Sequence, residues 1–450
     1  MNWSPRFGLA WSPGHDNKTV VNGGFGIFYD NPAAGLVDDL LANPPVSVAI
    51  RVRPPNGVLP FAPGPTGGAG IWGASANAFN VSQSYDQISS ALTSLGSVFQ
   101  APGVTALNGT IHSPEWYEWN LQVQRQLTSS TVLIVNYVGN HGIRIPYQNS
   151  WANAFDGYGL YTGVPGTPIP ANPLVPNYGT VTEVQSGAVS SYNGMTVTFR
   201  KQFSHGLSAG GNYTWSHNLD ETSNGGLFTY GDSILEQINP TSLRANNYGN
   251  SDYDIRNLFN AYWVYDPTFN FSSRFMRSVF NGWEWSGKWF WRSGLPFSVT
   301  DNNTAAINYG GNFLAVPIAG QTGEPGGCGQ AAAVTPCLNT NAFFNLATSA
   351  TAYTTLSSQT RNQYRGPNYF NIDMNLYKTF HLGEQRKLGV GVQAFNVFNH
   401  PNFALPDSGM GDATFGQILT MANAPTSPYG AFLNFDSSVR VVQLSAKFIF

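Results

Sequence analysis

RVVQLSAKFIF, residues 440–450, sets Val442, Leu444, Ala446, Phe448 and Phe450 on one side of an extended chain, with Gln443, Ser445 and Lys447 on the other. Successive side chains of a strand point to opposite faces, so a period of two predicts a strand with one apolar and one polar face. The same pattern recurs upstream. Phe370, Ile372, Met374 and Leu376 oppose Asn371, Asp373, Asn375 and Tyr377, and Leu388, Val390, Val392 and Ala394 oppose Gly389, Gly391 and Gln393. Trp119, Leu121, Val123 and Leu127 oppose Glu118, Asn120, Gln122, Gln124 and Gln126, while Leu207, Ala209, Tyr213 and Trp215 oppose Ser208, Gly210, Asn212 and Thr214. Weaker alternation lies at 3–11, 18–29, 131–138, 192–203, 254–265 and 282–292, which makes about eleven strands.

Strand length separates the possible architectures. Strands of globular domains average about 5–6 residues. Eleven residues at ~3.3 Å each, tilted by about 40–45°, rise roughly 26 Å, the height of the apolar band of an outer-membrane barrel. The connections carry a second pattern. Short links at 12–17, 128–130, 204–206 and 381–387 alternate with long polar excursions at 30–115, 139–191, 217–253, 301–367 and 399–438, and the intermediate link 266–281 falls where a short one is due. Up-and-down membrane barrels alternate in this way, with short periplasmic turns and long external loops. The expected fold is therefore all-β: a partial, antiparallel up-and-down transmembrane β-barrel of about eleven strands, with Phe450 on the periplasmic side. Aromatic residues at strand ends (Phe28, Tyr29, Trp116, Tyr117, Tyr262, Trp263, Tyr265, Phe448, Phe450) fit interfacial girdles. Trp283, Trp285, Trp289 and Trp291 share a face opposite Glu284, Ser286, Lys288 and Arg292, as lipid outside and water inside would require. The competing arrangement is a soluble sheet with an aromatic core.

Composition narrows the classes. The 450 residues carry 21 Lys+Arg against 24 Asp+Glu, and the charged fraction is only 10%, where soluble domains run near 25%. Without a basic excess, phosphate neutralisation is not served, so nucleic acid is not an expected partner. No apolar run reaches the ~18 residues of a membrane-spanning helix. The two cysteines, Cys328 and Cys337, sit in a Gly/Pro-rich stretch at a spacing suited to a small loop-closing disulfide in an oxidising compartment. The start, MNWSPRFGLAWSP, lacks the charged-then-apolar pattern of a secretory signal. For an exported protein this leads to the expectation of a fragment of something longer.

Several motifs imitate chemistry. Gly206-Leu207-Ser208-Ala209-Gly210 matches G-x-S-x-G, but a nucleophile elbow needs a strand-to-helix turn, and here strand-like GNYTWS follows. Gly23-Gly24-Phe25-Gly26 precedes no helix and lacks the lysine of a phosphate loop. His112-Ser113-Pro114-Glu115 has no second histidine at helical spacing. Asp220 with Glu221, or Asp252 with Asp254, would meet Ca²⁺ in a loop, although such acids are more often simply solvated. No catalytic residue, metal site or cofactor is expected.

Arg365–Leu376 (RGPNYFNIDMNL), Lys378-Thr379-Phe380 and Ala394–Phe403 (AFNVFNHPNF) resemble late strands of the Oar-like TonB-dependent transporters. Ser4–Gly8 (SPRFG), Lys18–Asp30 (KTVVNGGFGIFYD) and Arg292–Val299 (RSGLPFSV) extend the likeness over nearly the whole chain, and 393–403 is its most specific part. The resemblance implies that residues 1–450 are the C-terminal portion of a receptor-like barrel of roughly 22 strands, lacking the signal, plug and earlier strands. It implies uptake of a bulky solute of unspecified identity, energised by TonB through the missing plug. It also implies residence in the outer membrane against lipid, and a C-terminal signal (Val442, Leu444, Phe448, Phe450) read by the barrel assembly machinery. An alternative of another class is a secreted β-rich carbohydrate-binding or adhesion protein.

Overall fold

Each alternating segment becomes a strand in the computed structural model. The strands are β1 (Arg6–Trp11), β2 (Thr19–Tyr29), β3 (Glu115–Thr128), β4 (Thr131–Asn149), β5 (Val181–Ser204), β6 (Leu207–Asp220), β7 (Asn257–Tyr265), β8 (Trp283–Arg292), β9 (Tyr369–His381), β10 (Lys387–Phe395) and β11 (Val441–Ile449). The structure describes residues 2–14, 16–31, 103–149, 178–221, 247–301, 359–382, 386–422 and 439–450, with short stretches between them. Much of the long excursions, and parts of the 12–17 and 381–387 links, therefore lie outside the described residues.

The strands form one meander in sequence order from β1 to β11, every neighbouring pair antiparallel. Short links join β1 to β2, β3 to β4, β5 to β6, β7 to β8 and β9 to β10 at one end of the sheet, and the long connections gather at the other. The two-residue link His205–Gly206 has positive φ at both positions (53° and 76°), the type I′ geometry that matches strand twist. Glycine supplies the second at no steric cost. Among the described residues no ladder joins β1 to β11, so the sheet is an open part of a barrel.

Register makes the two faces continuous. One row runs Trp11–Val21–Val123–Val135–Val197–Tyr213–Phe259–Trp291–Phe370 across nine strands without a polar member. The adjoining row on the other face includes Asn22, Gln122, Asn136, Thr196 and Thr214, and side chains of this polar face bond across strands. Thr198 donates to Asn212 (2.7 Å) and Asn212 to Asn260 (3.1 Å), while the Thr196 and Thr214 hydroxyls lie 2.9 Å apart. Glycines pair with aromatics on the apolar face. A Cβ on Gly139 would lie 2.1 Å from Trp119, and one on Gly287 2.4 Å from Trp263, so only glycine lets these indoles lie flat over the neighbouring strand.

Two expectations change. The aromatics at strand ends do not all face one way. Phe28, Trp116 and Tyr262 take the polar-face parity, whereas Tyr29, Tyr117, Trp263 and Tyr265 take the apolar one. Adjacent residues of a strand must point oppositely, so a pair such as Trp116-Tyr117 supplies the girdle only one ring. β4 and β5 also run well beyond the 131–138 and 192–203 limits, to 19 and 24 residues. At ~3.3 Å per residue and ~40–45° tilt, β5 rises roughly 55–60 Å, about twice the apolar band, so its upper half stands clear of it. Past residue 138 the ladder continues through Gly139 and Gly142 and through register shifts between Gly142 and Pro146, with Arg144 at φ 57°.

The packed core lies above the sheet. Phe297, Val299, Ala315, Leu338, Phe343, Tyr364, Met410, Phe415 and Ile418 are buried together. They come from the β8–β9 and β10–β11 connections, which also share the short ladder Phe313–Leu314/Thr300–Asp301/Gly409–Met410. The described parts of these two connections therefore form a crown with its own apolar interior.

Candidate functional site

The crown is fixed to the sheet by a buried charge cluster that starts where β6 ends. Arg361 is 3% exposed. Its guanidinium pairs with Asp220, lies 3.6 Å from Asp252, and donates to the carbonyls of Asn247 (3.1 Å) and Asp220 (2.9 Å) and to the Ser223 hydroxyl. Burial pushes its pKa down to about 9, so it stays a cation at neutral pH, beside two carboxylates that favour that form. Arg365 pairs with Asp254 and donates to its carbonyl (2.8 Å), and Arg256 reaches the same carboxylate at 3.0 Å. Asp254 also accepts from the Asn218 backbone N–H at 2.7 Å. Asn362, at φ 56°, exchanges 2.8 Å side-chain-to-carbonyl bonds with Asn250 in both directions. A planar guanidinium with five donors suits such a junction, where one side chain must tie several chain segments at once.

These acids are the ones expected to be solvated, and the structure corrects that expectation. Asp220, Glu221 and Asp254 are buried. Arg361 meets the charge of Asp220 and Arg365 that of Asp254, each from more than 100 residues away in sequence, with Arg256 adding a neighbouring cation at Asp254, and Glu221 accepts from the Val189 N–H at 2.9 Å. Burial raises the Glu221 carboxyl above its ordinary range. Among the described residues no three His, Cys, Asp or Glu side chains converge as a metal site.

The crown interior carries a cleft of about 480 Å³ between Phe343 and Phe415, edged by Thr340, Asn341, Met410 and Asp412. The crown core is braced by Gln359, fully buried, which accepts from the Val299 N–H (2.9 Å) and donates to the Val299 and Ala315 carbonyls (3.0 and 2.9 Å). Cys328 and Cys337 are joined by a disulfide in this core, and the Cys328 N–H donates to Glu324 at 2.7 Å. Burial raises the Glu324 carboxyl.

The 393–403 phrase closes a strand rather than lining the cleft. Asn396 and Asn399 take positive φ (46° and 51°) where β10 ends. Asn402 holds both the N–H and the carbonyl of Phe370 through its amide (2.7 and 2.9 Å). Val442, Leu444, Phe448 and Phe450 share the outward apolar parity of β11 and are all exposed, with Phe448 and Phe450 stacked at 6.2 Å. They run along β11 from Val442, beside Ala394 near the crown end, to Phe448 and Phe450 at the short-link end. Ser208 lies within β6, where its hydroxyl meets the Lys201 carbonyl at 3.4 Å. Gly23, Gly24 and Gly26 lie within β2.

The profile of the outer membrane beta barrel domain family matches residues 1–443. The chain belongs to that family. This barrel domain is accordingly an outer-membrane protein, and the apolar face described above is its lipid-facing side. No curated protein matches it in sequence. Among solved structures, the barrel domain is similar to the outer membrane transporter YddB from Escherichia coli (9% identity, 100% of this chain and 40% of that one, TM-score 0.44). It is also similar to the ferripyoverdine receptor of Pseudomonas aeruginosa (10%, 99% and 33%, 0.41) and to the FrpB iron transporter from Neisseria meningitidis (10%, 99% and 39%, 0.39). The barrel domain thus spans 40% or less of the length of these structures.

Proposed function

We propose that this barrel domain is the C-terminal portion of an Oar-like TonB-dependent transporter that admits a bulky solute. The observation that carries the reading is the joint arrangement of an outer face with an apolar row running across nine strands, a hydrogen-bonded polar inner face and a braced crown at the long-connection end. A wall of this kind separates lipid from an aqueous passage, and the crown places its cleft at the entrance. The phrases at 365–380 and 393–403 support the Oar-like assignment. Solute contacts fall to the crown cleft and to the Asn, Gln, Thr and Ser ladder of the inner face. TonB acts through a plug supplied outside residues 1–450, and the outward row Val442, Leu444, Phe448 and Phe450 is the handle for the barrel assembly machinery. No side chain is assigned covalent chemistry.

The test is genetic and physiological. A strain deleted for the locus should lose accumulation of a bulky labelled solute, and wild-type uptake of that solute should stop when TonB is removed. Uptake that survives loss of TonB, or passive leakage of small solutes as the sole phenotype, would replace the transporter with a simple pore.

A further inference from the structure

The β7–β8 link holds the helix α1 (Arg274–Phe280), at the short-link end of the sheet. At 3.6 residues per turn, Phe275, Met276, Val279 and Phe280 fall on one side, and Arg274, Arg277 and Ser278 on the other. No residue of the helix is buried, and Phe275 is 73% exposed. A seven-residue helix is too short to persist alone, yet this one is fastened at both ends. The Ser273 hydroxyl caps its first turn, and the Asn281 amide holds both the N–H and the carbonyl of Phe269 (2.7 and 2.9 Å).

The third fastening fixes its side. Lys378 pairs with Trp283 in the β8–β9 ladder, at a position whose parity points toward lipid. Its ammonium does not enter lipid. It donates to the carbonyls of Ser278 (2.7 Å), Val279 (3.2 Å) and Asn281 at the C-terminal end of α1, and sits 5.2 Å from the Trp283 ring. The Trp283 indole N–H donates to the Val279 carbonyl at 2.8 Å. Two outward-facing side chains of the sheet thus grip α1 on the lipid side of the barrel wall. Its apolar side continues the lipid-facing belt at the rim.

We propose that α1 is an interfacial foot, seated in the periplasmic-leaflet headgroups. Phe275, Met276, Val279 and Phe280 enter the acyl region, and Arg274 and Arg277 meet the phosphates of glycerophospholipids. Those two arginines are the only charged side chains between Pro267 and Trp283. A short helix with an apolar side and a basic side lies in such an interface rather than across the bilayer. The proposal rests on the lipid-facing assignment of the sheet, so the experiment reads both.

Because both native cysteines are in the disulfide, single-cysteine variants carry one nitroxide each. Phe275→Cys, Val279→Cys, Ser278→Cys and Leu121→Cys are compared in outer membranes for relaxation by oxygen and by a water-soluble nickel chelate. The oxygen-to-nickel ratios at 275 and 279 should exceed that at 278 several-fold and stay below that at 121, which lies deeper. Ratios at 275 and 279 equal to that at 278, with 121 in lipid, overturn the foot alone. A water-like ratio at 121 overturns the sheet assignment and the foot with it. In the unmodified chain, a phospholipid with an acyl-chain diazirine should label Phe275–Phe280. Label on β3 without label on α1 likewise overturns the foot, and does so free of any substitution.

Discussion

The lipid-facing assignment is tested most directly by two lysines placed one residue apart. Leu121 and Gln122 are neighbours in β3 with opposite parity. Leu121 is 52% exposed on the apolar face between Gly23 and Tyr137, and Gln122 lies on the polar face between Asn22 and Asn136. Depth follows from a natural cation on the same face. Arg125 lies 3.5 Å from Asp16 of the β1–β2 link and marks the aqueous edge. Leu121 is four residues above it, which at ~3.4 Å per residue and ~40° tilt is about 10 Å into a band roughly 25 Å tall. Leu121→Lys should therefore cost close to the midplane value of ~2–4 kcal/mol, a roughly 30- to 1,000-fold shift in the folding equilibrium. Gln122→Lys, whose ammonium meets the watery passage, should stay within ~0.5 kcal/mol of the parent. The measurement is the denaturant midpoint for reversible folding into phospholipid vesicles. Equal losses from the two substitutions would refute the assignment of faces, because burial in a dry interior penalises charge on either side.

Three further outcomes concern the crown. Arg361→Met leaves Asp220 and Asp252 without their cation and should cost about 3–5 kcal/mol, seen as lost hydrogen-exchange protection across 247–256, and unchanged protection would remove the cluster's anchoring role. Cys328→Ser opens a bridge spanning 9 residues in sequence. By loop-closure entropy this is worth about 2.5 kcal/mol, so proteolysis of the crown should quicken in the variant and, for the parent, only under reductant. The raised Glu221 and Glu324 carboxyls mean that the folded crown binds their protons more readily than the unfolded chain. That contribution is full below the ordinary glutamate pKa and is lost as pH rises through the raised value. Crown protection should accordingly improve between neutral and mildly acid pH, and Glu221→Gln should flatten the trend. A steeper trend in the variant would reverse the sign argued here.

What the amino-acid order revealed depended on whether a local period existed. All eleven strands were legible because lipid and water impose alternation residue by residue, and the alternating link lengths followed from the same meander. The upper parts of β4 and β5 were not. Once clear of the membrane they have no apolar solvent to demand a greasy face, and Gly139, Gly142 and Pro146 look like breakers. The long-range pairs of the charge cluster had no local signature, since Arg361 meets Asp220 across 141 residues. An acid at a strand end reads as solvated until its partner is known. α1 escaped notice because seven residues hold barely two helical turns. Alternation by itself assigns the strand glycines no role, and pairs such as Gly139 with Trp119 give them a steric purpose.

The open edges constrain what completes the wall. β1 and β11 are both odd members of an alternating meander, so both run from the crown toward the short links. A backbone edge facing hydrocarbon has no water to satisfy it, and each must be paired. A second copy in the same orientation would bring its β1 against β11 running the same way, which makes a parallel seam and breaks the alternation. An inverted copy would restore antiparallel pairing but send its crown to the opposite side of the membrane. Antiparallel closure with one crown therefore needs an odd number of further strands, the first running opposite to β11. An even-membered ring less eleven is always odd, so a distinct set of strands satisfies the geometry and self-association does not. The half-barrel reading predicts on these grounds that residues 1–450 alone do not form a sealed pore by pairing with themselves. Channel recordings of the purified chain in a planar bilayer test this, and a stable, uniform conductance from dimers would contradict it.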